Sequence, residues 1–121
     1  MTRREEDILL YHNPRCSKSR QVLQLLDEHG MQARVVEYLK TPPNRSELEQ
    51  LLKMLGLEPR QLMRTKDDLY RQLQLDREDI SRDQLIQAML EHPALIERPI
   101  VVQGNRAAIG RPPEKILEIL K

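Results

Sequence analysis

The segment Ile8-Leu9-Leu10-Tyr11-His12-Asn13-Pro14-Arg15-Cys16-Ser17-Lys18-Ser19-Arg20 passes from strand to turn to helix start. Ile8 to Tyr11 is a short apolar run, the pattern of a buried strand. His12-Asn13-Pro14 breaks it, because Asn-Pro initiates turns. Cys16, the single cysteine of the chain, follows, and a helical pattern begins directly after it. The first amides of such a helix, near Ser17 to Ser19, lack intrahelical partners and point back toward the sulfur. They favour thiolate over thiol, as a nucleophile at neutral pH requires, and they suit a tetrahedral oxyanion. A lone cysteine is most often a small buried hydrophobe. Here the neighbours are Arg15, Ser17 and Lys18, which speak for a reactive thiolate instead.

Outward from this segment, Val22, Leu23, Leu25 and Leu26 give the first helix, about Ser17 to His29, an apolar face at helical spacing. His29 and Gly30 end it. Val35, Val36 and Tyr38 favour a strand over Ala33 to Leu39. Strand, helix and strand at this length form a βαβ unit with parallel strands.

Thr41-Pro42-Pro43-Asn44 stops the second strand. Residues from about 44 to 93 then read as almost wholly helical. The spacing of Ser46 and Glu49 predicts a capping box, followed by a Leu48, Leu51, Leu52, Leu55 stripe that ends at Gly56. Shorter helical pieces are expected at Arg60–Arg64 and Asp67–Leu73, and a longer one from Ser81, boxed with Gln84. Strand character returns at Ile100 to Gln103. Gly104-Asn105 is a hairpin signal, with Ala107 to Ile109 as the return strand. Pro113-Glu114 opens a last helix. The order is βαβ, helical insert, ββα: an α/β chain with a four-stranded mixed sheet. It is read as a single domain over 1–121, with sheet parts at about 8–40 and 98–121.

The chain has 121 residues and a formal net charge of +1, with both signs spread along it. That argues against a nucleic-acid surface, which needs a clustered basic stripe. No apolar run approaches a membrane span. The charged N-terminus has no signal-peptide pattern, so a cytoplasmic location is expected. A single cysteine forbids an internal disulfide and fits a reducing compartment. One cysteine and three histidines, widely spaced, do not make a zinc site. Val22 stands where a cysteine-phosphatase loop would need arginine.

Tyr11-His12-Asn13-Pro14-Arg15-Cys16-Ser17-Lys18-Ser19-Arg20 resembles the active-site loop of the glutaredoxin-dependent arsenate reductase family, Tyr-His-Asn-Pro-x-Cys-x-x-Ser-Arg, at every fixed position. The resemblance extends from Ile8 to Leu120 and implies a thioredoxin-like fold. It implies Cys16 as the catalytic nucleophile. It also implies three substrate-binding arginines: Arg64 in Leu62-Met63-Arg64, Arg98 in Glu97-Arg98-Pro99-Ile100-Val101-Val102, and Arg111 in Gly110-Arg111-Pro112. A planar guanidinium fork suits a tetrahedral oxyanion. An arbitrary arginine is usually a solvated side chain, but Arg98 and Arg111 sit at sheet-edge turns stiffened by proline. His12, Ser17, Ser19 and Pro99 are expected to support the site. His12 would hydrogen-bond within the loop and help lower the thiol pKa. Thioredoxin-like folds place a cis proline opposite the cysteine loop, and Pro99 occupies that place. Ser19 stands where a dithiol oxidoreductase has its second cysteine, so the second thiol must come from outside.

The implied activity is reduction of arsenate to arsenite, with no bound cofactor or metal, glutathione and glutaredoxin as reductants, and a monomeric chain. Two other readings are set beside it. One is a thiol reductase of the same family with another oxyanion or disulfide as substrate. The other is a non-enzymatic, redox-responsive regulator that binds RNA polymerase. Such regulators commonly carry Cys-x-x-Cys, and Ser19 and the three arginines count against this one.

Overall fold

The apolar run at Ile8 forms β1 (Ile8–His12), which pairs on both sides. It runs parallel to β2 (Ala33–Glu37), with Ile8 opposite Ala33 and His12 opposite Glu37. On its other side it is antiparallel to β3 (Ile100–Gln103), with Tyr11 opposite Ile100. β3 returns through Gly104-Asn105 into β4 (Arg106–Ile109), again antiparallel. The sheet order is β2-β1-β3-β4, the four-stranded mixed sheet of a thioredoxin-like fold. A computed structural model provides these coordinates and describes residues 7–120. Near-continuous burial from Ile8 to His12 explains why the sequence there does not alternate.

The described chain forms two compact units, one running to Thr41 and resuming at Arg98, the other Pro42–Glu97. In the first, α1 (Ser17–Glu28) and a 3₁₀ segment, Pro113–Glu118, pack on the sheet. Ile8, Leu10, Val22, Leu26, Val101 and Ile116 form the core there. With no Phe or Trp in the chain, this core rests on aliphatic burial, worth about 1.5–3 kcal/mol per fully buried side chain. The expected last helix is thus 3₁₀ rather than α. Both Arg98–Pro99 and Arg111–Pro112 are cis peptide bonds.

The second unit contains α2 (Arg45–Leu55), α3 (Asp68–Gln72) and α4 (Arg82–Glu91), with 3₁₀ turns at Pro59–Leu62 and Pro93–Leu95. The expected capping box at Ser46 lies two residues earlier. Asn44 Oδ1 accepts from the Glu47 amide, and Glu47 Oε1 accepts from the Asn44 amide. Asn caps as well as Ser does. Glu49 instead pairs with Arg82 at 2.6 Å. The box at Ser81 and Gln84 forms as expected. Arg60 ties this unit together, with its guanidinium over the Tyr70 ring and donating to the Tyr70 hydroxyl and the Arg77 carbonyl.

Among the described residues, no helix is long and apolar enough to cross a membrane.

Candidate active site

Cys16 is the N-cap residue of α1, with extended backbone, and is half-buried. Asn13 holds the turn before it. Its carbonyl accepts from the Cys16 amide at 2.9 Å, and its Oδ1 accepts from the Arg15 amide at 3.0 Å. A residue at the N-cap faces the amides two and three positions on, here Lys18 and Ser19. Burial pushes the Cys16 thiol up, but the Ser19 amide, a hydrogen bond from Arg98, the Lys18 amide and the Arg98 charge outweigh it. The net pKa lies below the ordinary thiol value. Ser17 is exposed at the first helical position.

Ser19 is buried, with its hydroxyl turned into the loop. It accepts from the Asn13 amide at 3.0 Å and lies 2.7 Å from His12 Nδ1. Burial lowers the His12 pKa, partly opposed by the negative charge of Glu37, so the ring is neutral at neutral pH. A ring with its proton on Nε2 completes the relay: Asn13 N–H to Ser19 Oγ, Ser19 O–H to His12 Nδ1. His12 thus hydrogen-bonds within the loop, to Ser19.

Two of the three expected arginines stand at this sulfur. Arg111 Nη2 is 3.8 Å from Cys16 Sγ, and Arg111 Nε donates to the Arg98 carbonyl at 2.7 Å. Burial disfavours the Arg98 cation, but the charges of Tyr38 and Cys16 and hydrogen bonding to both raise its pKa overall. The Arg98 Nε is buried with no hydrogen-bond partner among the described residues, and Pro99 beside it is buried. Arg64 belongs to the other unit. There its amide donates to the Leu95 carbonyl at 2.7 Å, and its Nε lies 3.9 Å from Glu97 Oε1. The Arg64 Nη1 is buried without a hydrogen-bond partner among the described residues.

Sequence reasoning read Asn13 only as a turn former and Tyr38 only as a strand residue. Asn13 is the hub of the loop, and buried Tyr38 couples to Arg98. Nothing in the sequence singles out Tyr38, because Tyr11 and Tyr70 are buried as well. Among the described residues, no group of three or more His, Cys, Asp or Glu could hold a metal. The arrangement offers a thiol of lowered pKa flanked by amides and guanidinium groups, a combination that can attack and hold a small oxyanion.

Residues 11–119 match the ArsC family. The chain is 53% identical over 116 residues to the Escherichia coli protein described as "Uncharacterized protein YfgD", covering 95% of this chain and 98% of that one. It is 52% identical over 115 residues to an arsenate reductase of Neisseria meningitidis, covering 94% and 98% of the two chains. The structure of an arsenate reductase from Vibrio cholerae superposes with a TM-score of 0.92 at 51% identity, covering 95% of this chain and 98% of that one. With near full-length similarity joined to the cysteine loop and its arginines, the chain belongs to the ArsC family.

Proposed function

We propose that this protein reduces arsenate to arsenite, with Cys16 as nucleophile and glutathione and glutaredoxin as the external thiols. The approach of Arg111 Nη2 to the Cys16 sulfur, 3.8 Å, carries the reading: a guanidinium beside an acidified thiol serves an oxyanion. The Cys16 thiolate attacks arsenate, and a sulfur–arsenic bond forms as water leaves. Arg98 and Arg111 offset the oxyanion charge, together with the Lys18 and Ser19 amides. Arg64 is kept as the third arginine on the likeness of Leu62-Met63-Arg64 to the family site alone.

Glutathione then attacks the adduct. Two thiols supply two electrons, arsenic(V) leaves as arsenite, and a Cys16–glutathione disulfide remains. The buried side chain at position 19 is a serine, so glutaredoxin clears that disulfide. One chain supplies every group named, consistent with a monomer, and a glutathione-rich cytoplasm is the fitting location. A coupled assay tests this, with arsenate, glutathione, glutaredoxin and glutathione reductase, followed by NADPH oxidation. Arsenate-dependent turnover by the wild type, lost in Cys16→Ser, supports the reading; equal turnover by both overturns it.

A further inference from the structure

Gly110 connects β4 to Arg111, and its lack of a side chain shapes the site. A Cβ built there would stand 2.5 Å from Val22 Cγ2 and 2.9 Å from Pro99 Cγ. Carbon atoms pack at about 3.5–4.0 Å, so even one methyl group would push these elements apart. The requirement is space: Gly30 and Gly56 have φ of +67° and +68° but nothing within 4 Å of a built Cβ, whereas Gly110 is absent from the positive-φ residues.

The two atoms it would strike belong to the two sides of the site. Val22 lies on α1, the helix that Cys16 opens. Pro99 follows Arg98, and the Gly110 amide donates to the Pro99 carbonyl at 2.8 Å. The next residue, Arg111, holds the Arg98 carbonyl through Nε and reaches the sulfur through Nη2. We propose that Gly110 is a positioning residue, whose bare backbone sets how closely the Arg98 and Arg111 guanidinium groups stand to the Cys16 sulfur. The inference rests on the reading of Cys16 as nucleophile with arginine partners.

The test compares Gly110→Ala, Val22→Ala, the V22A/G110A double variant and Gly30→Ala. Two quantities are read: the pH midpoint of Cys16 alkylation by iodoacetamide without arsenate, and kcat/KM for arsenate. In Gly110→Ala the midpoint moves up toward the free-thiol value of about 8.5. A displacement of this kind lowers kcat/KM by roughly 10- to 100-fold. The double variant removes the tightest contact, so its midpoint falls between those of wild type and Gly110→Ala. Gly30→Ala lowers thermal stability and leaves the midpoint in place.

A wild-type midpoint in Gly110→Ala, or loss of thermal stability alone, overturns the proposal. Should Gly110→Ala fail to fold, the double variant is compared with Val22→Ala, since the Pro99 contact persists in it; equal midpoints then overturn the proposal. Because alkylation needs no arsenate, a wild type that reduces none would overturn the functional reading and leave this measurement intact.

Discussion

Arg111 approaches the sulfur of Cys16 to 3.8 Å, from a residue far along the chain, while its Nε is anchored on the Arg98 carbonyl. The guanidinium therefore does two things, and a lysine can do only one. Hydrogen bonds to charged groups contribute about 1.5–3 kcal/mol. Arg111→Ala is expected to lower kcat/KM for arsenate by roughly 10- to 100-fold. Arg111→Lys keeps a charge but loses the anchored fork, and should recover only part. Arg71, which pairs with Asp68 on α3, is the control: its alanine variant should match the wild type.

Ser19 satisfies the buried Asn13 amide and faces His12 at the same time. Ser19→Ala leaves that N–H without its acceptor, at a cost of about 1–3 kcal/mol. The urea midpoint should fall accordingly, and the loop that presents the Lys18 and Ser19 amides should loosen. Alkylation of Cys16 would then need a higher pH than in the wild type. Unchanged urea and alkylation midpoints would mean that the hydroxyl does not organise the loop.

His12 links stability to pH. Its folded pKa lies below the ordinary 6.5 because burial disfavours the imidazolium. Above that value both folded and unfolded rings are neutral, and the stability is fully present. As pH falls through 6.5 toward the folded pKa, the unfolded chain takes up a proton that the folded loop resists, so stability declines. Urea midpoints from neutral pH to about pH 5 should drop for the wild type, and His12→Gln should flatten the part of the slope that this ring causes. An identical slope in the variant would contradict the assignment.

Tyr38 hydrogen-bonds the Arg98 guanidinium, and Arg98, charged throughout the working pH range, acidifies Cys16 by its charge and a hydrogen bond; the Tyr38 hydroxyl thus helps to hold that cation beside the sulfur. Tyr38→Phe retains the buried ring and removes only the hydroxyl. The expected result is a higher alkylation midpoint for Cys16 with far-ultraviolet circular dichroism unchanged. A midpoint equal to the wild-type value would remove Tyr38 from the site.

Much of this was legible because local chemistry determined it. The Ile8–Tyr11 run, the Asn-Pro turn and the Gly104-Asn105 hairpin each marked its element where the sheet has it. The cap of α2 was misplaced because Asn44/Glu47 and Ser46/Glu49 offer the same spacing. The reciprocal bonds of Asn44 and Glu47 and the cross-helix pairing of Glu49 with Arg82 distinguish them. The 3₁₀ character of Pro113–Glu118 follows from packing that apolar spacing does not encode. Cys16 was legible from its place at a helix start among polar and charged neighbours, whereas Arg98 and Arg111 were named through the family resemblance, with the adjacent prolines in support. Their mutual distances, the Tyr38 coupling and the steric role of Gly110 depend on long-range contacts, and no local pattern reports those.

In the proposed reaction Cys16 binds the arsenic of arsenate, and an outside thiol then releases it as arsenite and leaves a disulfide on Cys16. Mass spectrometry of the protein incubated with arsenate and glutathione, with no glutaredoxin present, tests it most directly. The expected product is one glutathione attached to Cys16, formed only when arsenate is added, absent in Cys16→Ser and removed by later addition of glutaredoxin. An unmodified Cys16 after arsenate and glutathione, or a stable sulfenic acid that glutathione does not touch, would contradict it.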